Sequence, residues 1–393
     1  MTERLTQLMT LEAERLDIPP TPTADVLGRG RGLRRRRRAG QAVAGLAVVA
    51  LIGTGVAVLA GGDDQGKAAL DPAGPPVAVA APDLGAVFSI GPTVYLRGGE
   101  VQATVDDVVV KSMYYTSAGL LVRHGENSYS DGGGPQRFSL VTDDGVVHPV
   151  SVTTEEVVPG VDIDQPYLAY AEVVDGTVDV VVHDVATDEE VARVSVPDAT
   201  TWGGWSAPPV SLVGDRIYVG TDDVTRVVDW RTGEVSEDAS VEPGYPPSVD
   251  AGRTTRVSGN DRQVLDAATG EVLLTVPTKA RDYAYVVLSP DGRFLKVVSQ
   301  GDEEMLPPDQ ASFDVYDVDT GNAVALSGQA YDWTWTPDGQ LFNLDDQGAL
   351  TTCSAETAEC TSEEIPLDVL PNSTKGAEDF SDDLVLGNTV RES

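Results

Sequence analysis

The sequence predicts an all-β body, a β-propeller of about seven blades, preceded by one transmembrane helix and a short cytoplasmic head. Three observations carry that expectation. Five consecutive arginines, Arg34 to Arg38, run directly into a stretch from Ala39 to Gly62 that holds no charge. Beyond it, short Val-, Tyr-, Leu- and Thr-rich runs alternate with Gly, Asp and Pro turns for some 300 residues, with no convincing amphipathic helix. Within that body a turn motif returns at intervals close to the ~40 to 50 residues of a propeller blade.

The head, residues 1–38, places Leu5, Leu8, Met9 and Leu16 at roughly helical spacing before Pro19 and Pro20 end the pattern. A segment this short cannot bury a core of its own. It is expected to lie on the membrane, to stay disordered or to fold against a cytoplasmic partner.

The span, residues 39–62, has only Gln41 and Thr54 as distinctly polar members. At about 1.5 Å per residue a helix of this length crosses a bilayer core of roughly 30 Å. A buried helix in a soluble protein would show a polar stripe, and none is present. A cleaved signal peptide is the rival, with Val58 and Ala60 as the cleavage pattern; its apolar region would run about 7 to 15 residues. The longer stretch favours a retained signal anchor. Seven arginines lie between Arg29 and Arg38, whereas only Lys67 occurs between the span and Arg97. Positive flanks stay inside, so the amino terminus is expected in the cytoplasm and the body outside it. Set against a span, Arg34, Arg35, Arg36, Arg37 and Arg38 point to topology and anionic lipid rather than to nucleic acid. Gly53, Ala57 and Gly61 have small-xxx-small spacing, a weak dimerisation cue in so Ala- and Gly-rich a segment.

Residues 63–83 are rich in Gly, Ala and Pro without periodicity and read as a tether. The body, residues 84–393, is strongly acidic. Of a net charge of −36 for the whole chain, residues after 62 carry 18 basic and 58 acidic side chains. Such a field repels nucleic acid and anionic lipid. The only cysteines, Cys353 and Cys360, sit in TTCSAETAEC beyond the span, a spacing that suits a local disulfide in an oxidising compartment. Two cysteines with no histidine nearby make a poor zinc site. Asn372-Ser373-Thr374 fits a glycosylation acceptor, a pattern frequent by chance.

The repeating unit is an apolar pair, Asp, two residues, Thr-Gly and a further strand. It is clearest at Asp229, Thr232 and Gly233, at Asp266, Thr269 and Gly270, and at Asp317, Thr320 and Gly321. Degenerate copies surround Asp184 and Thr142, with intervals of 42, 45, 37 and 51 residues along the series. Adding YLRGGEVQ near Gly98 and NLDDQGAL near Asp346 brings the hairpins to seven. A second motif lies out of phase: Pro290, Asp291 and Gly292 after Ser289 recur as Pro337, Asp338 and Gly339 after Thr336. In both, Asp and Thr or Ser close the turn on the backbone and Gly supplies a positive φ. The amino-terminal blade looks short, with strands near Val87, Val94 and Val101, and DLVLGNTV from Asp383 is expected to return and complete it.

These motifs resemble those of WD40-like, TolB-like and quinoprotein-like β-propellers, in which the Asp-x-x-Thr-Gly hairpin joins the outer strands of a blade and Ser-Pro-Asp-Gly turns an inner hairpin. The Gly-His and Trp-Asp pairs of true WD40 repeats are absent. The head and span resemble those of actinobacterial single-pass membrane proteins, some of which are encoded beside alternative sigma factors and are suspected anti-sigma proteins. The head lacks the His and Cys zinc set of such regulators and is short for clasping a sigma factor.

No catalytic pattern stands out. His124, His148 and His183 are scattered, and no HExxH, GxSxG, Walker A or GxGxxG motif occurs in the expected context. Asp314, Asp317, Asp319 and Gly321 vaguely match a calcium loop but lack its closing acid. The pairs Trp202 with Trp205 and Trp333 with Trp335 suit packing between blades better than a ligand surface. The sequence therefore favours a non-enzymatic, cofactor-free binding module, anchored by one helix and presenting a ring face to a protein, peptide or envelope ligand. A transmembrane regulator with the propeller as sensor ranks second, and a propeller hydrolase third.

Overall fold

The computed structural model describes residues 82–127, 134–155, 157–199, 206–238, 240–243, 249–277, 283–300, 310–367 and 383–388. The head, the span and the tether up to residue 81 lie outside these residues, as do Trp202, Trp205 and Asn372 to Thr374. Among the described residues no helix is long and apolar enough to cross a membrane.

Among the described residues, twenty-eight strands form seven antiparallel sheets of four. The chain is a seven-bladed β-propeller. Blade 1 contains Phe88–Ile90, Thr93–Leu96 and Val101–Thr104, and blade 2 runs from Val109–Thr116 to Val147–Thr154. Blades 3, 4 and 5 begin at the short strands Gly160–Val161, Val210–Val213 and Val249–Asp250. Blade 6 begins at Tyr283–Leu288 and blade 7 at Thr334–Trp335. The first strand of blade 4 neighbours the first strands of blades 3 and 5, which places the first strands around the axis.

Burial follows this radial order. In blade 2 every residue of the first strand, Val109–Thr116, and of the second, Gly119–Gly125, is buried, whereas the outermost, Val147–Thr154, alternates between buried and exposed. Inner sheets packed on both faces by neighbouring blades select near-continuous Val, Leu and Tyr; outer strands wetted on one side revert to alternation. Each fully buried Val or Leu contributes about 1.5–3 kcal/mol. Trp335, only 1% exposed, stacks on Phe294 of the preceding blade at 6.3 Å, and Trp333 lies 6.1 Å from Phe313. Both tryptophans pack between blades 6 and 7.

The carboxyl-terminal strand Leu384–Leu386 pairs antiparallel with Phe88–Ile90 and supplies the innermost strand of blade 1. Closure is tied further by Asn388 N donating to Met113 O of blade 2 (3.1 Å) and Thr334 Oγ1 of blade 7 donating to Gly387 O (2.7 Å). A closed ring leaves no free inner edge.

One hairpin differs from the sequence expectation. NLDDQGAL near Asp346 joins the second and third strands of blade 7, Leu341–Leu344 and Ala349–Cys353, and is not an outer hairpin. The outer hairpin of that blade is the cysteine loop itself, between Ala349–Cys353 and Cys360–Glu364. There Ser354 Oγ accepts from Glu356 N and Thr357 N, and Ala358 takes a positive φ of 57°. Ser, Thr and Ala stand where the other copies have Asp, Thr and Gly. The missing Asp and Gly hid the repeat; the spacing Ser354-x-x-Thr357-x-Glu359 was its signal.

Candidate functional site

Because successive strands are antiparallel, the third-to-fourth hairpins of all seven blades and the first-to-second hairpins of blades 2 to 7 open on one face of the ring. That face gathers both repeated motifs. In the outer hairpins, Asp229 Oδ1 accepts from Arg231 N and Thr232 N at 3.1 and 2.8 Å, Asp266 Oδ1 from Ala268 N and Thr269 N at 3.0 and 2.8 Å, and Asp317 Oδ1 from Asp319 N and Thr320 N at 3.1 and 2.8 Å. Gly233, Gly270 and Gly321 follow with φ of 75°, 72° and 71°, the left-handed region that costs glycine nothing. Backbone donation from Thr232 holds the Asp229 carboxyl below its usual range, and the Thr269 hydroxyl does the same for Asp266. For Asp317 burial works the other way, but Thr320 and Arg293 outweigh it. These oxygens are committed to the turn, which answers the calcium-loop question for Asp317. Cys353 and Cys360 are joined by a disulfide across the blade 7 hairpin.

Ion pairs lace this face from blade to blade. Arg253 of blade 5 reaches Asp319 of blade 6 at 2.6 Å, and Arg293 of blade 6 reaches Glu356 of blade 7 at 3.2 Å. Arg97 of blade 1 donates to the carbonyl of Asp143 in blade 2 at 2.9 Å, and Gly214 N of blade 4 donates to Asp162 of blade 3 at 2.6 Å.

Nearer the axis, the inner hairpins surround a cavity of about 430 Å³. Its acidic groups are Asp83, Asp164, Asp291 and Asp338; its apolar wall comes from Pro82, Leu84, Ile163, Ala251 and Pro337. Blades 3, 5, 6 and 7 thus each contribute an inner turn, and the segment leading into blade 1 fills the remaining side. The two Ser/Thr-Pro-Asp-Gly turns meet here. Asp291 accepts from Ser289 Oγ at 2.5 Å and Asp338 from Thr336 Oγ1 at 2.5 Å. A Cβ on Gly339 would stand 3.0 Å from Asp291 Oδ2. Behind Asp338, Tyr115 Oη donates to Trp335 O at 2.9 Å; burial, then the Asp338 charge, push its phenol upward. Asp250, just before Ala251 on the innermost strand of blade 5, has its carboxyl pushed up to about 7 by burial.

Asp291, Pro337 and Asp338 were singled out in the sequence as turn residues, and the fold also gives them a place on the cavity wall. Pro82 and Asp83, read as the end of the tether, lie there too. Ile163, Asp164 and Ala251 carried no motif. Their only signal was position, each in the first turn of a blade whose short first strand the sequence pattern did not mark.

On the opposite face, His124 Nδ1 lies 2.8 Å from Asp107 and Nε2 lies 2.9 Å from Ser139 Oγ, with Arg137 Nη2 also donating to Asp107 at 2.6 Å. This has the bonding order of a hydrolytic relay. Ser139, however, is 3% exposed and sits between paired strands, so no substrate carbonyl reaches it. Burial raises the Asp107 carboxyl but the His124 and Arg137 bonds outweigh it and hold it low; burial also depresses His124, against the pull of Asp107. The arrangement ties the connection between blades 1 and 2 to blade 2. His183 pairs with Asp188 within blade 3 at 2.9 Å. Lys296, 5% exposed, donates from Nζ to the carbonyls of Ala330 and Trp333, and burial pushes its ammonium down to about 7. Among the described residues no group of three His, Cys, Asp or Glu side chains converges on a metal position.

Comparison with solved structures returns matches of low similarity. The WD40 β-propeller domain of Doa1 aligns over 71% of this chain and 87% of its own, at 13% identity and a TM-score of 0.38. Kuenenia stuttgartiensis hydrazine synthase aligns over 63% and 77%, at 17% identity and a TM-score of 0.39. Values this low carry no activity across, and the propeller assignment rests on the seven sheets. No family model and no curated protein matches the chain.

Proposed function

We propose that this chain is a membrane-anchored extracytoplasmic propeller that binds a protein, peptide or envelope ligand through the face bearing the inner hairpins. The observation that carries the reading is the axial cavity, concave and part apolar, walled by turns that a closed ring holds in fixed positions. The uncharged stretch at residues 39–62 and the arginines before it supply the anchor and its orientation. The test is affinity capture from a solubilised cell envelope with the full chain in detergent, compared with Ile163→Arg, which replaces part of the apolar cavity wall with a long charged side chain. Capture by the parent chain and not by the variant supports the reading; equal capture by both removes this face from consideration. Protease added to intact cells checks the orientation: loss of the body with survival of the head is expected, and digestion of the head alone overturns it.

A second reading, a transmembrane regulator with the propeller as sensor, draws on one feature. Pro82 and Asp83 belong to the cavity wall and lead directly toward the span, so an occupant of the cavity would touch the segment that connects it to the head. Recovery of a sigma factor on residues 1–38 would favour this reading, and recovery of no partner would leave the head as an anchor.

A further inference from the structure

The cavity is one-signed. Among the described residues its polar side chains are four carboxylates, of Asp83, Asp164, Asp291 and Asp338, and no Lys, Arg or His lines it. Field lines from like charges around a concave, partly apolar mouth concentrate cations there. The carboxylates nevertheless do not focus on a point, since no three of them converge where one metal ion could be held. Calcium needs six to eight oxygens at about 2.3–2.6 Å, which this rim does not assemble. The apolar wall of Leu84, Ile163, Ala251 and two prolines would be wasted on a hydrated ion. An alkyl stem would cover it and bring a charged end to the carboxylates. The volume, about 430 Å³, falls within the ~300–1,000 Å³ of small-ligand sites and exceeds what a single lysine side chain fills.

We infer that the axial mouth takes a primary ammonium carried on an apolar stem, as presented by a lysine side chain of a peptide or by a free linear diamine. This rests on the reading of the inner-hairpin face as the binding face. The test titrates the full chain in detergent with cadaverine and, separately, with a short end-blocked peptide whose one charged group is a central lysine, followed by calorimetry. Saturable one-to-one binding of either is expected, the stronger of the two naming the source, with loss on acetylation of the amine. The variant Asp83→Asn with Asp164→Asn removes two exposed charges whose side chains make no turn bond, so the fold is kept. It should weaken binding about five- to tenfold, in line with two partly exposed charge contacts. Asp175→Asn with Asp223→Asn removes as much charge from the opposite face and should leave binding unchanged. Equal weakening by both pairs would reduce the effect to the general acidic field and overturn the inference, as would no saturable binding. If the envelope ligand is still captured and neither amine competes with it, the inference fails and the binding-face reading stands. If Ile163→Arg leaves capture intact, the face itself fails.

Discussion

Asp266 shows how much of this fold depends on single carboxylates. Its Oδ1 accepts from two backbone amides and from Thr269 Oγ1 at 2.9 Å, so Asp266→Ala strands those donors in a turn whose geometry they define. A loss of about 1–2 kcal/mol is expected in denaturant unfolding, against near zero for an exposed acid such as Glu271. The sign of the pH response follows from the lowered carboxyls of Asp229, Asp266 and Asp317: their contribution is complete above the unfolded carboxylate value and is lost as pH falls through the lower folded values. Lys296 acts in the opposite pH range. Its folded value near 7 lies well below the 10.5 of a free lysine, so between those values the unfolded chain holds a proton that the native chain has shed. Stability from this residue therefore rises with pH across that window. Lys296→Met removes the dependence and leaves the carbonyls of Ala330 and Trp333 short of a donor, a cost of about 1–3 kcal/mol. The parent's advantage over the variant should be larger at pH 9.5 than at pH 7; an equal difference at both would show that Lys296 is solvated and ordinary.

The outer hairpin of blade 7 is the element in which sequence pattern and structure part company most clearly. Its disulfide closes a loop of only eight residues, for which chain entropy gives a stabilisation of about 2 kcal/mol. Cys353→Ser with Cys360→Ser should lower stability by that order while leaving capture of the cavity's ligand intact, because the loop lies on the outer rim; loss of binding would tie this hairpin to the axial site. The same element marks the limit of what could be read beforehand. Asp229, Asp266 and Asp317 announce their hairpins because each contact closes within three residues, and local chemistry leaves a local pattern. At Ser354 the same backbone geometry survives with a weaker acceptor and an alanine at positive φ, so the pattern fades although the turn does not. The cavity was out of reach for a different reason. Asp164, Ala251, Asp291 and Asp338 come from separate turns and Asp83 from the segment leading into blade 1, and only the closed ring brings them to one mouth. The order of blades and the returning strand were visible as repeat spacing and an apolar tail, whereas the meeting of inner turns depends on packing between sheets.

At the scale of the whole molecule, everything rests on the return of six described residues, Asp383 to Asn388, to the start of the propeller. Leu384–Leu386 pairs with Phe88–Ile90, while the following Gly387 is clamped from three sides. Its N donates to Val87 O at 2.7 Å, its carbonyl accepts from Thr334, and a Cβ there would stand 2.5 Å from Tyr115 Oη and 2.9 Å from Val87 O. The Tyr115 hydroxyl cannot yield freely, because it is buried and bonded to Trp335 O, and the Val87 carbonyl belongs to the backbone of blade 1. Gly387→Ala therefore forces the closing strand outward, and the overlap falls where blades 1, 2 and 7 meet. A cost of about 3 kcal/mol or more is expected, the range of severe overpacking. Tyr115→Phe offers the control, since it removes the nearest atom and its bond but keeps the ring; in the Tyr115→Phe background the alanine should cost less, the remainder reflecting Val87 O. Amide exchange locates the effect. Opening should appear first in Phe88–Ile90 and Leu384–Leu386 and spare blades 4 and 5 on the far side of the ring. Uniform loss of protection around the ring would mean that the seven blades unfold as one unit and that closure is no weaker than any other seam. Protection unchanged at Leu384–Leu386 would mean that the glycine is dispensable and that pairing with Phe88–Ile90 alone holds the ring shut.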